Sequence, residues 1–123
     1  MGELIVKANL ETVKEHLKSN EEILSTIYCT INFGYISRSG ILVATNKKLL
    51  FCADAMFGKG LKWEYEYTEI SNFGDTRGLI LEISALPVIQ KLTMHHKDDF
   101  IIFSNFSSPS KVNKFLELVQ SKL

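Results

Sequence analysis

Apolar and polar positions alternate with a period of two over most of this chain and take up a helical period only near its two ends. Between Asn9 and Lys18, Leu10, Val13 and Leu17 recur at i, i+3 and i+7, which predicts a short helix over about 9–18 with Asn9 as N-cap. Ile23, Ile27, Cys29, Ile31 and Phe33 then alternate with Leu24, Thr26, Tyr28, Thr30 and Asn32 in a first strand. Apolar groups on both of its faces imply that Leu24 and Tyr28 are covered, with the N-terminal helix as the candidate cover. Phe33 to Gly40 reads as a Gly/Ser loop bearing bulky apolar side chains.

Gly40-Ile41-Leu42-Val43-Ala44-Thr45-Asn46-Lys47-Lys48-Leu49-Leu50-Phe51 is the central hairpin. Its turn falls at Asn46-Lys47, where Asn tolerates the positive φ a tight turn uses. The alternation puts Ile41, Val43 and Thr45 on one face with Leu49, Phe51 and Ala53, and sets Leu42 and Ala44 with Leu50 and Cys52 on the other. A second glycine-rich loop, Ala55-Met56-Phe57-Gly58-Lys59-Gly60, leads to Leu61, Trp63, Tyr65 and Tyr67 alternating with Lys62, Glu64 and Glu66, a half-buried strand. Ile70 to Asp75 starts another strand. Leu79 to Ile83 either continues it past a bulge at Arg77-Gly78 or returns as a hairpin, and Ala85-Leu86-Pro87 breaks it. Gln90–His96 and Phe100–Ser104 form a last hairpin around Lys97-Asp98-Asp99. Ser108-Pro109 starts a final helix over about 108–122, with Val112, Phe115, Leu116, Val119 and Leu123 on one face.

About seven antiparallel strands followed by one amphipathic helix predict a mainly β fold with α: a partly open barrel, over about 22–105, whose mouth the terminal helix covers. The 123 residues contain no repeat, linker or low-complexity tract and are expected to form a single domain over 1–123.

Three stretches resemble the bacterial PH-like domains of the YokE-like group, which are themselves similar to GRAM domains. Gly40 to Phe51 resembles that family's G-hydrophobic-T-N-K-R-L-hydrophobic-F core. Asn20-Glu21-Glu22-Ile23-Leu24 is similar to its lead into the first strand, and Tyr67-Thr68-Glu69-Ile70-Ser71-Asn72-Phe73 to its step into the fifth. The resemblance runs from about Leu10 to the C-terminus and departs in Lys48, where Arg is usual, and in a long segment between Ile70 and Gln90. It implies a seven-stranded PH barrel with a C-terminal helix, in a family whose bacterial members mostly lack an assigned activity.

Charge and chemistry narrow the functional classes. Lys plus Arg and Asp plus Glu are 14 each, a formal net charge of zero, which argues against a dedicated nucleic-acid binder. Cys29 and Cys52 lack zinc or CxxC spacing and read as small buried hydrophobes. Met1 to Val6 lacks the basic and long apolar stretches of a signal peptide, so a reducing cytoplasm is the expectation. His95 and His96, adjacent on a strand, point to opposite faces and cannot easily share a metal. Ser37, Ser39 and Ser71 have no histidine placed beside them, and Glu64 with Glu66 reads as a solvated strand face. No catalytic residue, cofactor or metal site is expected.

The resemblance implies that the loops joining strands one and two, three and four, and six and seven share one open rim. That rim would carry Phe33, Tyr35, Ile36 and Arg38; Met56, Phe57 and Lys59; and His95, His96 and Lys97. Bulky apolar groups beside a few cations suit an unknown protein partner, self-association, or weak contact with an anionic membrane. The competing reading is that Phe33, Ile36 and Met56 fold back on the barrel end. PH domains that bind phosphoinositides cluster Lys and Arg on the first two strands, where this chain offers only Arg38, so high-affinity inositide binding is not expected.

Overall fold

A computed structural model of the chain describes residues 5–6, 8–56, 60–75 and 91–123, with side chains over 8–55, 60–74 and 91–123. In chain order these residues form β1 (Ile5–Val6), α1 (Leu10–Lys14), β2 (Ile23–Phe33), β3 (Ile36–Thr45), β4 (Lys48–Ala53), β5 (Ala55–Met56) and β6 (Lys62–Glu66). A 3-10 turn at Tyr67–Glu69, β7 (Ile70–Asp75), β8 (Leu92–His96), β9 (Asp99–Ser104) and α2 (Pro109–Lys122) follow. The segment 76–90, with its bent-strand or hairpin alternatives, lies outside the described residues.

Seven strands make one antiparallel sheet in the order β6-β4-β3-β2-β9-β8-β7, and β1 pairs separately with β5. The two edge strands, β6 and β7, are consecutive in the chain and joined by only the three residues of the 3-10 turn. Four peptide steps reach at most about 14 Å, so the sheet has to curl until its edges approach. Across that closure the rings of Tyr65 on β6 and His96 on β8 meet edge to face at 4.8 Å.

The inner face carries the main core. Leu42, Ala44, Leu49, Phe51 and Ala53 pack there with Ile27, Cys29 and Ile31 of β2 and with Leu92, Met94, Ile101 and Phe103 of the last hairpin. Val112, Phe115 and Val119 of α2, spaced i, i+3 and i+7, close this core, and Gln120 donates to the Phe73 carbonyl of β7 at 3.1 Å. Leu116 packs at the margin, and Leu123, beyond the last helical turn, is exposed. Ser108 takes the N-cap position with Pro109 at the first turn, but its side chain makes no capping bond.

A second cluster lies on the outer face, and it reverses the pairing expected from alternation. Leu42 is opposite Phe51 and Ala44 opposite Leu49, while Ile41 is opposite Cys52 and Val43 opposite Leu50. Leu42 and Ala44 therefore share the inner face with Leu49, Phe51 and Ala53, and Ile41 and Val43 share the outer one with Leu50 and Cys52. A two-residue connection between Thr45 and Lys48 pairs even positions with odd ones, so the parity of the buried face changes across the turn. Asn46 is not among the positive-φ residues, which in the described chain are Gly34, Asn72, Lys97 and Asn105.

Three further differences have local causes. In the expected N-terminal helix, regular α-helix is confined to Leu10–Lys14, after which His16 and Leu17 donate three residues back, to Val13 and Lys14. The tightened turn still brings Leu17 to the outer cluster beside Val13 and Tyr28. A register shift between Ile23 and Ser25 turns Ile23 into that cluster and leaves Leu24 exposed. The expected loop over Phe33–Gly40 shrinks to Gly34-Tyr35, because Ile36 to Gly40 continue the ladder opposite Cys29 to Phe33.

Candidate functional site

Two polar clusters and one apolar rim stand out, and they differ in access. The first cluster unites all three stretches of family resemblance. Glu21, its side chain fully buried, accepts from Thr45 Oγ1 at 2.6 Å and from the Lys18 N–H at 3.2 Å, and pairs with Lys48 Nζ at 3.3 Å. Lys48 also reaches Glu64 of β6 at 3.4 Å. Asn46 Oδ1 accepts the Glu22 N–H at 2.8 Å, and the Tyr67 hydroxyl donates to the Thr45 carbonyl at 2.7 Å. Burial pushes the Glu21 carboxyl up, but hydrogen bonds from Thr45 and Lys18 and the nearby Lys48 outweigh it and hold the group below the usual carboxylate range. Burial, with Glu21 beside it, pushes the Tyr67 phenol up to about 12. With Glu21, Thr45, Lys48 and Tyr67 buried and Glu22, Asn46 and Glu64 at the solvent edge, these groups tie the lead into β2, the β3–β4 turn, β6 and the corner turn into one joint.

The second cluster centres on buried Asp54, just past β4. Its carboxylate accepts the Ala8 N–H at 2.9 Å and the Tyr28 hydroxyl, while its carbonyl accepts from Arg38 Nη2 at 2.9 Å. Burial, and then the Asp54 carboxylate, raises the Tyr28 phenol well above its ordinary value. A lone acid inside an apolar run is the signal in the sequence for this anchor.

The rim is built on the β2–β3 turn. Gly34 adopts φ 54°, which a glycine takes without strain, and this lets two long strands reverse in two residues. Tyr35 at the apex is fully exposed, at 107 %, and Ile36 is 39 % exposed. Phe33 instead folds inward and meets Trp63 of β6 edge to face at 5.5 Å, across a mouth spanned in the sheet by β3 and β4. Arg38, opposite Ile31, is half-buried on the Asp54 carbonyl. Leu61, 46 % exposed, accepts the Ala53 N–H through its carbonyl and so borders the same end. Leu61 and Trp63 were missed as rim residues from sequence; both continue the inward parity of Tyr65 towards the mouth.

His95, His96 and Lys97 engage a different neighbourhood. His95 lies 3.5 Å from Asn72 Nδ2 and stacks obliquely on Phe100 at 5.0 Å, while His96 packs on Tyr65 and lies 3.5 Å from Glu69. Lys97 pairs with Glu69 at 3.2 Å, and this hydrogen bond, more than any other cause, lowers the Glu69 carboxyl. These contacts place the tip of the last hairpin at the β6–β7 corner, whereas at the β2–β3 end Phe33 meets Trp63 and Arg38 reaches the Asp54 carbonyl. Met56 pairs with Ile5 through its backbone; its side chain, Phe57 and Lys59 lie outside the described residues. Among the described residues, no three His, Cys, Asp or Glu side chains converge on a common point that could hold a metal ion.

A curled antiparallel sheet of seven strands, closed by a C-terminal helix and carrying an exposed apolar turn, is the architecture of a PH-like domain. The family profile for the bacterial PH domain matches residues 17–121, and the chain belongs to that family. Among solved structures it is similar to the C-terminal domain of an unknown protein from Leishmania infantum. The TM-score is 0.60 at 18% identity, over 80% of this chain and 83% of that one, a likeness of fold alone. No curated protein matches the chain. No helix among the described residues is long and apolar enough to cross a membrane.

Proposed function

We propose that the chain is a non-catalytic interaction module, one PH-like domain over 1–123, that binds protein, its own copies included, through the rim at the β2–β3 turn. Membership of the family supports the class, since PH-like domains commonly mediate protein or lipid interaction. The observation that carries the reading is Tyr35 with Ile36: two large side chains presented to water on a turn held by the ladders of both flanking strands. Each stays solvated at a cost of about 25 cal/mol per Å² of apolar surface, which a partner's surface would recover. Arg38, two residues on from Ile36, adds a cation at its edge.

Light scattering across a concentration series tests this, comparing the native chain with a Tyr35→Asp/Ile36→Asp double variant. The native mass should rise with concentration and the variant's should stay that of a monomer. A second reading, weak contact with an anionic membrane, draws on Arg38 beside the apolar turn. Trp63, the single tryptophan, sits at this mouth and reports on it. A blue shift of its emission with anionic but not neutral vesicles would favour the lipid reading, and an unchanged spectrum at low salt would sink it. We place the protein in the cytoplasm, a reading favoured by two free, buried thiols, of which Cys52 is pushed up to about 11 by burial.

A further inference from the structure

Asp54 grips β3 at two adjacent residues. Its N–H donates to the Ser39 carbonyl at 2.8 Å, and its own carbonyl accepts from Arg38 Nη2 at 2.9 Å. Its carboxylate is turned elsewhere: one oxygen takes the Ala8 N–H and the other the Tyr28 hydroxyl. Arg38 is therefore held by the backbone of an acid with which it forms no ion pair. Among the described residues no carboxylate pairs with it, whereas buried Lys48 pairs with Glu21 and Glu64, and even exposed Lys62 and Lys97 pair with Glu64 and Glu69. Arg38 is half-buried opposite Ile31 and shares a pleat face with Ile36, two residues before it. A guanidinium carries five N–H groups, and among the described residues a single one is engaged, on the Asp54 carbonyl.

We propose that Arg38 is the specificity residue of the rim, a fixed receptor for a carboxylate that the partner protein sets beside the apolar side chain it lays on Ile36. This rests on the rim's role as the binding surface and adds the chemistry of what it binds. A half-buried cation without a counter-charge keeps a desolvation penalty that an incoming carboxylate relieves. A charge-assisted, two-pronged pair of this kind is stronger than a bond between neutral groups. Because the guanidinium is already anchored, little side-chain freedom is left to lose when the partner arrives. The number of cations also selects between partners. Attraction to an anionic membrane grows with a cluster of lysines and arginines, and β2 and β3 together carry Arg38 alone. The planar fork of one arginine matches one carboxylate.

Phenylacetate, a ring bearing a carboxylate, and its neutral amide are the probes, titrated into the native chain and followed by nitrogen–proton NMR. The chain has two arginines, so the Arg38 Nε–H signal is readily assigned. Phenylacetate should move that signal and the Ile36 amide together and saturably, at least about tenfold more tightly than the neutral amide does, and high salt should close the gap. Equal shifts from the two probes, or an Arg38 signal that neither moves, would overturn the proposal. Arg38→Gln, which keeps an N–H for the Asp54 carbonyl, should erase the preference for the acid, and a preference that survives it would also overturn the proposal. Should that variant not fold, the comparison of the two probes on the native chain decides the matter. Vesicles of phosphatidylglycerol that move the Arg38 signal when phenylacetate does not would overturn it in favour of a membrane. Self-association is read separately. A native chain that associates while Arg38 ignores phenylacetate keeps the rim and loses the receptor; one that stays monomeric removes the second copy as partner, and the titration still decides the role of Arg38.

Discussion

Gly40 occupies a position where no side chain fits. A Cβ there would lie 2.2 Å from the Cys52 carbonyl oxygen and 2.7 Å from the Ala53 Cα, both backbone atoms that cannot swing aside. Gly40→Ala should lose at least about 3 kcal/mol, read as a lower urea midpoint at unchanged slope. Glu21 makes the opposite kind of demand, a charge that must stay. Glu21→Gln leaves buried Lys48 with only the partly exposed Glu64, at a cost of about 3 kcal/mol near neutral pH. The folded Glu21 carboxyl lies below its ordinary value of 4.5, so its stabilisation is complete above that value and is lost as pH falls through the folded one. Thermal unfolding from pH 7 down to 3 should therefore fall more steeply for the native chain than for Glu21→Gln. Glu64, also lowered, gives both chains a common background slope, and equal slopes would contradict the role given to Glu21. At this scale the sequence was legible in residue type and less so in geometry. The Gly40–Phe51 pattern marked the hairpin, but a two-residue turn inverts parity, and alternation counted through it pairs the wrong faces. Asn46 was noticed for its backbone freedom, whereas its work is done by its side chain on Glu22.

Among the elements, α2 holds the barrel shut and the β2–β3 turn presents Tyr35 and Ile36 to solvent. Phe115→Ala would leave a cavity between α2 and the inner core and should cost about 3–5 kcal/mol in chemical denaturation. The Tyr35→Asp/Ile36→Asp pair, on exposed positions, should change stability by about 0.5 kcal/mol or less, so any loss of binding is read without a loss of fold. The contrast tracks what the sequence makes plain. Strands and helices bury a periodic stripe, and period is visible; Val112, Phe115 and Val119 could be read directly. Loops carry no period. The division of Phe33 from Tyr35 and Ile36, one turned to Trp63 and the others to solvent, depends on where the ladder ends. The trio His95, His96 and Lys97 was legible as a hairpin tip, but its position beside Glu69 follows from how the sheet curls.

For the whole molecule, the order of elements was enough to predict a curled sheet closed by a helix, because an amphipathic terminal helix after a run of antiparallel strands has one natural place to go. The candidate site was legible only in part. Tyr35, Ile36 and Arg38 were nameable in advance, while Leu61, Trp63 and the Asp54 anchor required the register between strands. The motifs of resemblance describe the joint around Glu21 rather than the rim, so folding and binding are assigned to different residues. The most direct test of that division is the mass of the native chain and of Tyr35→Asp/Ile36→Asp, by light scattering over the same concentration range and beside their urea midpoints. The account predicts that the native chain associates, that the variant remains a monomer, and that the midpoints agree. A native chain that stays monomeric throughout, or a variant that associates equally, would contradict it.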